Sequence, residues 1–236
     1  MTDQGLKREM NQDVFFTHKF NEQVGFVIVC DGMGGQSAGN VASEMVCDII
    51  SKKLIEDKID QANADQMSDY IVNAISEANI QVYTKSNVEP GLQGMGTTVV
   101  LAIIAYDNVY IAHIGDSRAY ILQNGKLHQV TKDHSLVQEL LEQGKISEKE
   151  VLTHPNKNMI TRAVGVNLMV DIDYLSLKLE KDTKIILCTD GLTNMVSDDE
   201  IAKTVRENNA QGSCEMLIDL ANTAGGIDNI TIAVIE

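Results

Sequence analysis

Basic side chains are scarce in this 236-residue chain: 19 lysines and arginines stand against 34 aspartates and glutamates, a formal net charge of −15. A surface of that sign repels a nucleic-acid backbone, whose binding rests on phosphate neutralisation, and it repels anionic membranes for the same reason. Proline is nearly absent, with two residues, while hydrophobic residues make up 44%, the composition of a globular chain rather than a disordered one. Cysteine is limited to Cys30, Cys47, Cys188 and Cys214, and their wide spacing excludes a zinc knuckle and a disulfide framework. Cys30 and Cys188 lie inside apolar runs and read as small buried residues of a reducing compartment. No apolar run approaches the ~20 residues of a membrane span, and the polar start MTDQGLK is no signal peptide, so a cytoplasmic location is expected. The sequon Asn229-Ile230-Thr231 then reads as strand sequence. Linkers, internal repeats and low-complexity tracts are missing too, and the length suits a single domain over residues 1–236.

What is present is an alternation of strand-like and helix-like blocks. The runs at 24–30, 97–106, 108–114, 118–123, 184–189 and 229–235 are β-branched or aromatic and of strand length. Asp107-Asn108 and Asn124-Gly125 fall between adjacent runs as hairpin turns, which predicts antiparallel sheet. Helical spacing marks Val41, Met45 and Ile49, then Met67, Ile71, Ile75, Ala78 and Val82, and two later segments, SDDEIAKTVREN and SCEMLIDLANTA. Ser197 followed by Glu200 is the signature of a capped helix start. Helix pairs separated by meandering strands predict an α+β fold of four layers, αββα, with two mostly antiparallel sheets flanked by helix pairs. From about 132 to 165 the strand pattern stops: two short helices and the loop THPNKN predict a flap inserted between strand-rich blocks. Asp133 is placed to cap the first of those helices.

Aspartates recur at strand ends. FVIVC ends in Asp31-Gly32, YIAHIG in Asp116-Ser117 and KIILCT in Asp190-Gly191, while Asp228-Asn229 opens NITIAVI and Asp13 precedes another apolar patch. If these ends share one rim, the carboxylates converge, and clustered carboxylates repel one another unless a cation neutralises them. Oxygen donors without His or Cys suit Mg²⁺ or Mn²⁺. Two such ions would locally reverse the sign that the net charge of −15 gives the molecule and would admit a phosphate. Gly32, Gly34 and Gly35 allow close approach of backbone to an ion, and a carbonyl there can serve as a ligand. A dinucleotide loop is the rival reading of GMGGQSAG. It fits poorly, because Ser37 stands where the third glycine belongs and Asp31 would face a pyrophosphate.

The segments REMNQD (8–13), VCDGMGG (29–35), GMGTT (94–98), HIGDSRAY (113–120), CTDGL (188–192) and IDNIT (227–231) resemble, in order, the motifs of the bacterial metal-dependent protein phosphatases of the 2C type. The resemblance spans essentially the whole chain. It implies hydrolysis of phosphoserine and phosphothreonine in proteins by a water activated between two Mn²⁺ or Mg²⁺ ions, in a bacterial signalling role opposed by a Ser/Thr kinase. It implies further that Asp31 bridges the two ions, that the Gly32 carbonyl, Asp190 and Asp228 are ligands, and that Asp116 holds a third, weaker ion. Asp13 orients the attacking water, Asn229 supports from behind, and Arg8 clamps the phosphate with its planar fork. A small-molecule phosphatase of the same fold and a silent phosphoprotein-binding module are the alternatives. Two features depart from the family pattern. The chain starts at Met1-Thr2-Asp3-Gln4-Gly5, where relatives carry a first strand, so that strand is missing or the sheet ends one strand early, and Arg8 is expected to be less firmly anchored. Met33 occupies the position at which eukaryotic relatives place a proton-donating histidine, which leaves metal-bound water and, behind it, His134 as the expected acid.

Overall fold

The computed structural model describes residues 1–35 and 38–236 and, among these, every side chain except that of residue 152. Ser37, on which the argument against a dinucleotide loop turned, lies outside the described residues. In chain order the elements are β1 (Thr2–Asp3), β2 (Asp13–Lys19), β3 (Val24–Met33), α1 (Ala38–Glu56), α2 (Ala64–Val88), β4 (Gly96–Thr97), β5 (Val99–Ala105), β6 (Asn108–Ile114), β7 (Arg118–Gln123), β8 (Lys126–Gln129), α3 (Leu136–Glu142), α4 (Glu148–Thr153), β9 (Asp173–Lys178), β10 (Lys184–Cys188), α5 (Asp190–Thr193), α6 (Asp198–Glu207), α7 (Ala210–Thr223) and β11 (Ile230–Ile235). One sheet has the order β1-β11-β10-β7-β8 and the other β2-β3-β5-β6-β9, with β4 paired to the end of β3. Every pairing in both is antiparallel.

Alternation along β3 shows why its sequence is apolar at nearly every position. Val27 and Val29 point into the core between the sheets, where they meet Val100, Ile111, Ile121 and Leu187. Phe26, Ile28 and Cys30 point the other way, onto Val46, Ile50, Ile71 and Ile75 of the α1 and α2 layer. A strand covered on both faces has no polar side to show. The second sheet repeats the arrangement: Ile186, Cys188 and Ile232 lie under Ile201, Val205 and Leu217 of α6 and α7. The four layers are those the sequence predicts.

Several local expectations need correction. At the start of the chain Thr2 and Asp3 form a two-residue β1 that pairs with Thr231 and Ile230, and the Met1 amino group donates to the Ile232 carbonyl at 2.7 Å. The β5–β6 turn falls one residue early, with Tyr106 at φ 57 and Asn108 already paired with Ala105. Asn124 and Gly125 both have positive φ, as the β7–β8 turn requires. Ser135, not Asp133, caps α3, and Asp133 instead takes a forked bond from Arg118 at 2.7 to 3.1 Å. Asp133 is drawn inward because the partly buried guanidinium needs a counter-charge. Between β8 and β9 the chain forms α3, α4 and two isolated bridges, Thr97 with Val164 and Ser135 with Ile160. Among the described residues no helix is long and apolar enough to cross a membrane.

Candidate metal centre

Antiparallel pairing brings the acidic strand ends to one rim. In the β2–β3 register Asp13 stands directly opposite Asp31, an arrangement of like charges that weakens a sheet unless something lies between them. The other sheet delivers its pair the same way: Asp190 follows β10 and Asp228 precedes β11, and these strands pair antiparallel, so both carboxylates sit at one end. Asp116 enters from the crossing between β6 and β7. Asp31, Asp116, Asp190 and Asp228 line one cleft of about 1100 Å³, together with Arg8, Gly32 and Met33. Asp13 lies beneath it, 5% exposed.

Close approach of backbone makes this packing possible. A Cβ on Gly32 would sit 2.2 Å from the Gly39 carbonyl oxygen, and one on Gly191 would sit 1.9 Å from that of Asn229. Only glycine lets these turns nest, which accounts for the residue after the acid in two of the motifs.

Hydroxyls and amides hold the acids in place. The Thr189 hydroxyl donates to Asp13 Oδ2 at 2.9 Å, and Asn194 Nδ2 donates to Asp190 Oδ2 at 2.9 Å. Thr98 Oγ1 accepts from the Asp31 amide at 3.0 Å and bonds Ser117 at 2.7 Å. Asn229 is 5% exposed and secures the segment that carries Arg8: its Nδ2 donates to the Gln4 and Met10 carbonyls, and its Oδ1 accepts from the Gln12 amide. Arg8 is therefore better anchored than the short first strand led us to expect, and its Nη2 donates to Asp228 Oδ2 at 2.7 Å. Thr98, Thr189 and Asn194 were not singled out from sequence. Their only signal was adjacency, Thr98 within GMGTT and Thr189 directly before Asp190.

Electrostatically the cluster is unbalanced. Burial is the main reason that Asp31 is pushed well above the usual carboxylate range, with Asp13, Asp190, Asp116 and Asp228 adding repulsion. Asp13 rises to about 7 by burial, against the opposing hydrogen bond from Thr189. Asp116 rises to about 8 through burial and then the charges of Asp190 and Asp133, and Asp190 to about 6 through burial and then Asp228. Arg8 and Lys7 are the basic residues at the cleft, against the five aspartates and Glu9. Asp13 Oδ1, buried, has no hydrogen-bond partner among the described residues. An all-oxygen donor set, an orphaned carboxylate oxygen and missing counter-charge fit hard divalent cations.

The acid candidates fare differently. Met33 lines the cleft and has no proton to give. His134 is 6% exposed and is not among the residues lining the cleft, and its Nδ1 accepts from the Gly115 amide at 3.0 Å. That placement removes it as the proton donor.

Residues 6–220 match the family described as Protein phosphatase 2C. The chain belongs to that family. Among curated relatives, the Serine/threonine phosphatase stp of Listeria monocytogenes is 41% identical over 238 residues, covering 100% of this chain and 93% of the relative. The S. agalactiae serine/threonine phosphatase structure superposes with a TM-score of 0.92 at 38% identity, covering 99% of this chain and 96% of that one. The catalytic domain of the phosphatase PstP, in complex with 2 manganese ions, has a TM-score of 0.86 at 31% identity, covering 100% and 96%. Membership in the 2C family accounts for the order of the six motifs and for the acidic rim.

Proposed function

We propose that this protein hydrolyses phosphoserine and phosphothreonine in other proteins and depends on divalent metal to do so. The observation that carries the reading is the meeting of carboxyls from both sheets at one cleft with a single guanidinium beside them. Asp31, the Gly32 carbonyl, Asp190 and Asp228 would hold two Mn²⁺ or Mg²⁺ ions, and Asp116 a third. Bound there, the ions would supply the positive charge that admits a phosphate and would acidify water to give hydroxide near neutral pH.

The chain's own groups then have distinct tasks. Arg8 is half-exposed at the rim, and among the described residues its fork makes one side-chain hydrogen bond, to Asp228, leaving donors for phosphoryl oxygens. Asp13, held through Oδ2 by Thr189, offers Oδ1 to accept a hydrogen bond from the attacking water and so to orient it. With Met33 aprotic and His134 turned away, water in the open cleft protonates the departing alkoxide. The whole chain acts as a single catalytic domain, and residues 132–165, which bring Asn158 and Ile160 to the cleft, form its flap. Its partners are phosphorylated proteins and the opposing Ser/Thr kinase, in the cytoplasm.

Hydrolysis of nitrophenyl phosphate and of a phosphothreonine peptide should require added Mn²⁺ or Mg²⁺, and should vanish with chelator or with Asp190→Ala. Turnover that survives excess chelator would remove the metal. Faster hydrolysis of nucleotide or sugar phosphates than of the peptide would reassign the substrate to small molecules.

A further inference from the structure

We propose that His134 is a positioning residue for Asp116, holding the Gly115–Asp116 turn through two hydrogen bonds with Gly115, one to its ring and one from its own amide, and tying it to the segment beyond α4. The Gly115 amide donates to His134 Nδ1 at 3.0 Å, and the His134 amide donates to the Gly115 carbonyl at 2.9 Å. The turn has no slack. Gly115 has φ +105, and a Cβ there would lie 2.5 Å from Thr98 Cγ2. On the other side of Asp116, Ser117 is bonded to Thr98 at 2.7 Å, so the carboxyl-bearing residue is fixed from both neighbours.

The far edge of the ring is engaged as well. His134 Nε2 lies 3.3 Å from Asp173 Oδ2, and Asp173 Oδ1 accepts from Arg162 Nη1 at 2.7 Å. Burial, with His113 and Arg162 nearby, keeps His134 neutral by lowering its pKa, against the opposing pull of Asp173. In a neutral ring whose Nδ1 accepts from an amide, Nε2 carries the hydrogen, and it faces Asp173 Oδ2 at 3.3 Å with Arg162 Nη1 3.2 Å away. The same tautomer argues against a metal here, although His113, His134 and Asp173 bring ligand atoms within 4.8 Å of one another. Nε2 has no lone pair to offer. The two rings are also stacked, with centroids 4.6 Å apart and planes at 16°, so their in-plane lone pairs run side by side instead of converging. The cluster is a strut from Arg162 through Asp173 and His134 to the turn that carries Asp116.

What the strut does for metal binding rests on the reading of the cleft as a metal centre, whereas the clamp on Gly115 does not, so the two can fail separately. Two substitutions divide the ring's roles. His134→Asn keeps an acceptor where Nδ1 was and loses reach to Asp173; His134→Gln does the reverse. In the metal-free protein, Gly115 amide exchange should quicken about tenfold in His134→Gln and stay near wild type in His134→Asn. Mn²⁺ titration calorimetry should show the weakest site loosened by about tenfold in His134→Gln, with the tighter sites unchanged. Equal exchange in all three proteins, or equal acceleration in both variants, would overturn the clamp. The expected exchange pattern in a protein that binds no Mn²⁺ would uphold the clamp and overturn the metal centre.

Discussion

Thr189 joins the two sheets beneath the cleft: it donates to Asp13 and accepts from the Thr231 amide at 3.0 Å. Valine has nearly its shape and none of its hydrogen bonding. Thr189→Val should therefore fold, while divalent affinity or turnover falls about 10- to 100-fold, checked by titrating Mn²⁺ against activity and by calorimetry. At the rim, Arg8→Ala should lower kcat/KM on nitrophenyl phosphate about 100-fold, or about 2.7 kcal/mol, because one charge-assisted donor pair to the phosphoryl oxygens is lost. The residues that read clearly in the sequence were those whose chemistry is odd for their place. Asp31, Asp190 and Asp228 interrupt or abut apolar strands, where a carboxylate needs a reason. Thr98, Thr189 and Asn194 act only through partners brought close by the fold, and a threonine near a strand is ordinary, so nothing local marked them.

Helix ends were legible where the signal is local. Ser197 and Glu200 form the reciprocal box at the start of α6 that their spacing predicted, with Glu200 Oε2 accepting from the Ser197 amide at 3.2 Å. Ser197→Ala should cost about 1 kcal/mol in chemical denaturation and leave turnover unchanged, since α6 lies on the far face of its sheet from the interior core. Strands at sheet margins were not legible. β8 is KLHQ and β9 is DYLSLK, largely exposed, because a strand that ends its sheet has one neighbour and buries less. The four-residue turn of helix α5 was hidden inside CTDGL, where the eye follows the acid rather than the backbone. Interior strands such as β3 and β5 betrayed themselves by composition, being covered on both faces.

For the molecule as a whole, the acidic rim couples stability to pH and to metal. Asp190, Asp13 and Asp116 have folded-state values of about 6, 7 and 8 against an ordinary 3.8. The metal-free folded state thus binds protons more tightly than the unfolded chain. Its contribution is complete below the ordinary value and is lost as pH rises through the folded values. With chelator present, thermal melts should show falling stability between about pH 4 and about pH 8, and Mn²⁺ should raise the melting temperature most at the alkaline end. Ions at about 100 times their Kd would add about 2.7 kcal/mol per site. A flat chelated profile would mean that the carboxyls are already balanced. The pairing of β1 with β11, and of Arg8 with Asp228 across 220 residues, has a consequence in time. A ribosome must release the chain beyond Asp228 before the rim can close, so a copy halted short of that point is silent and cannot strip phosphate from anything it meets.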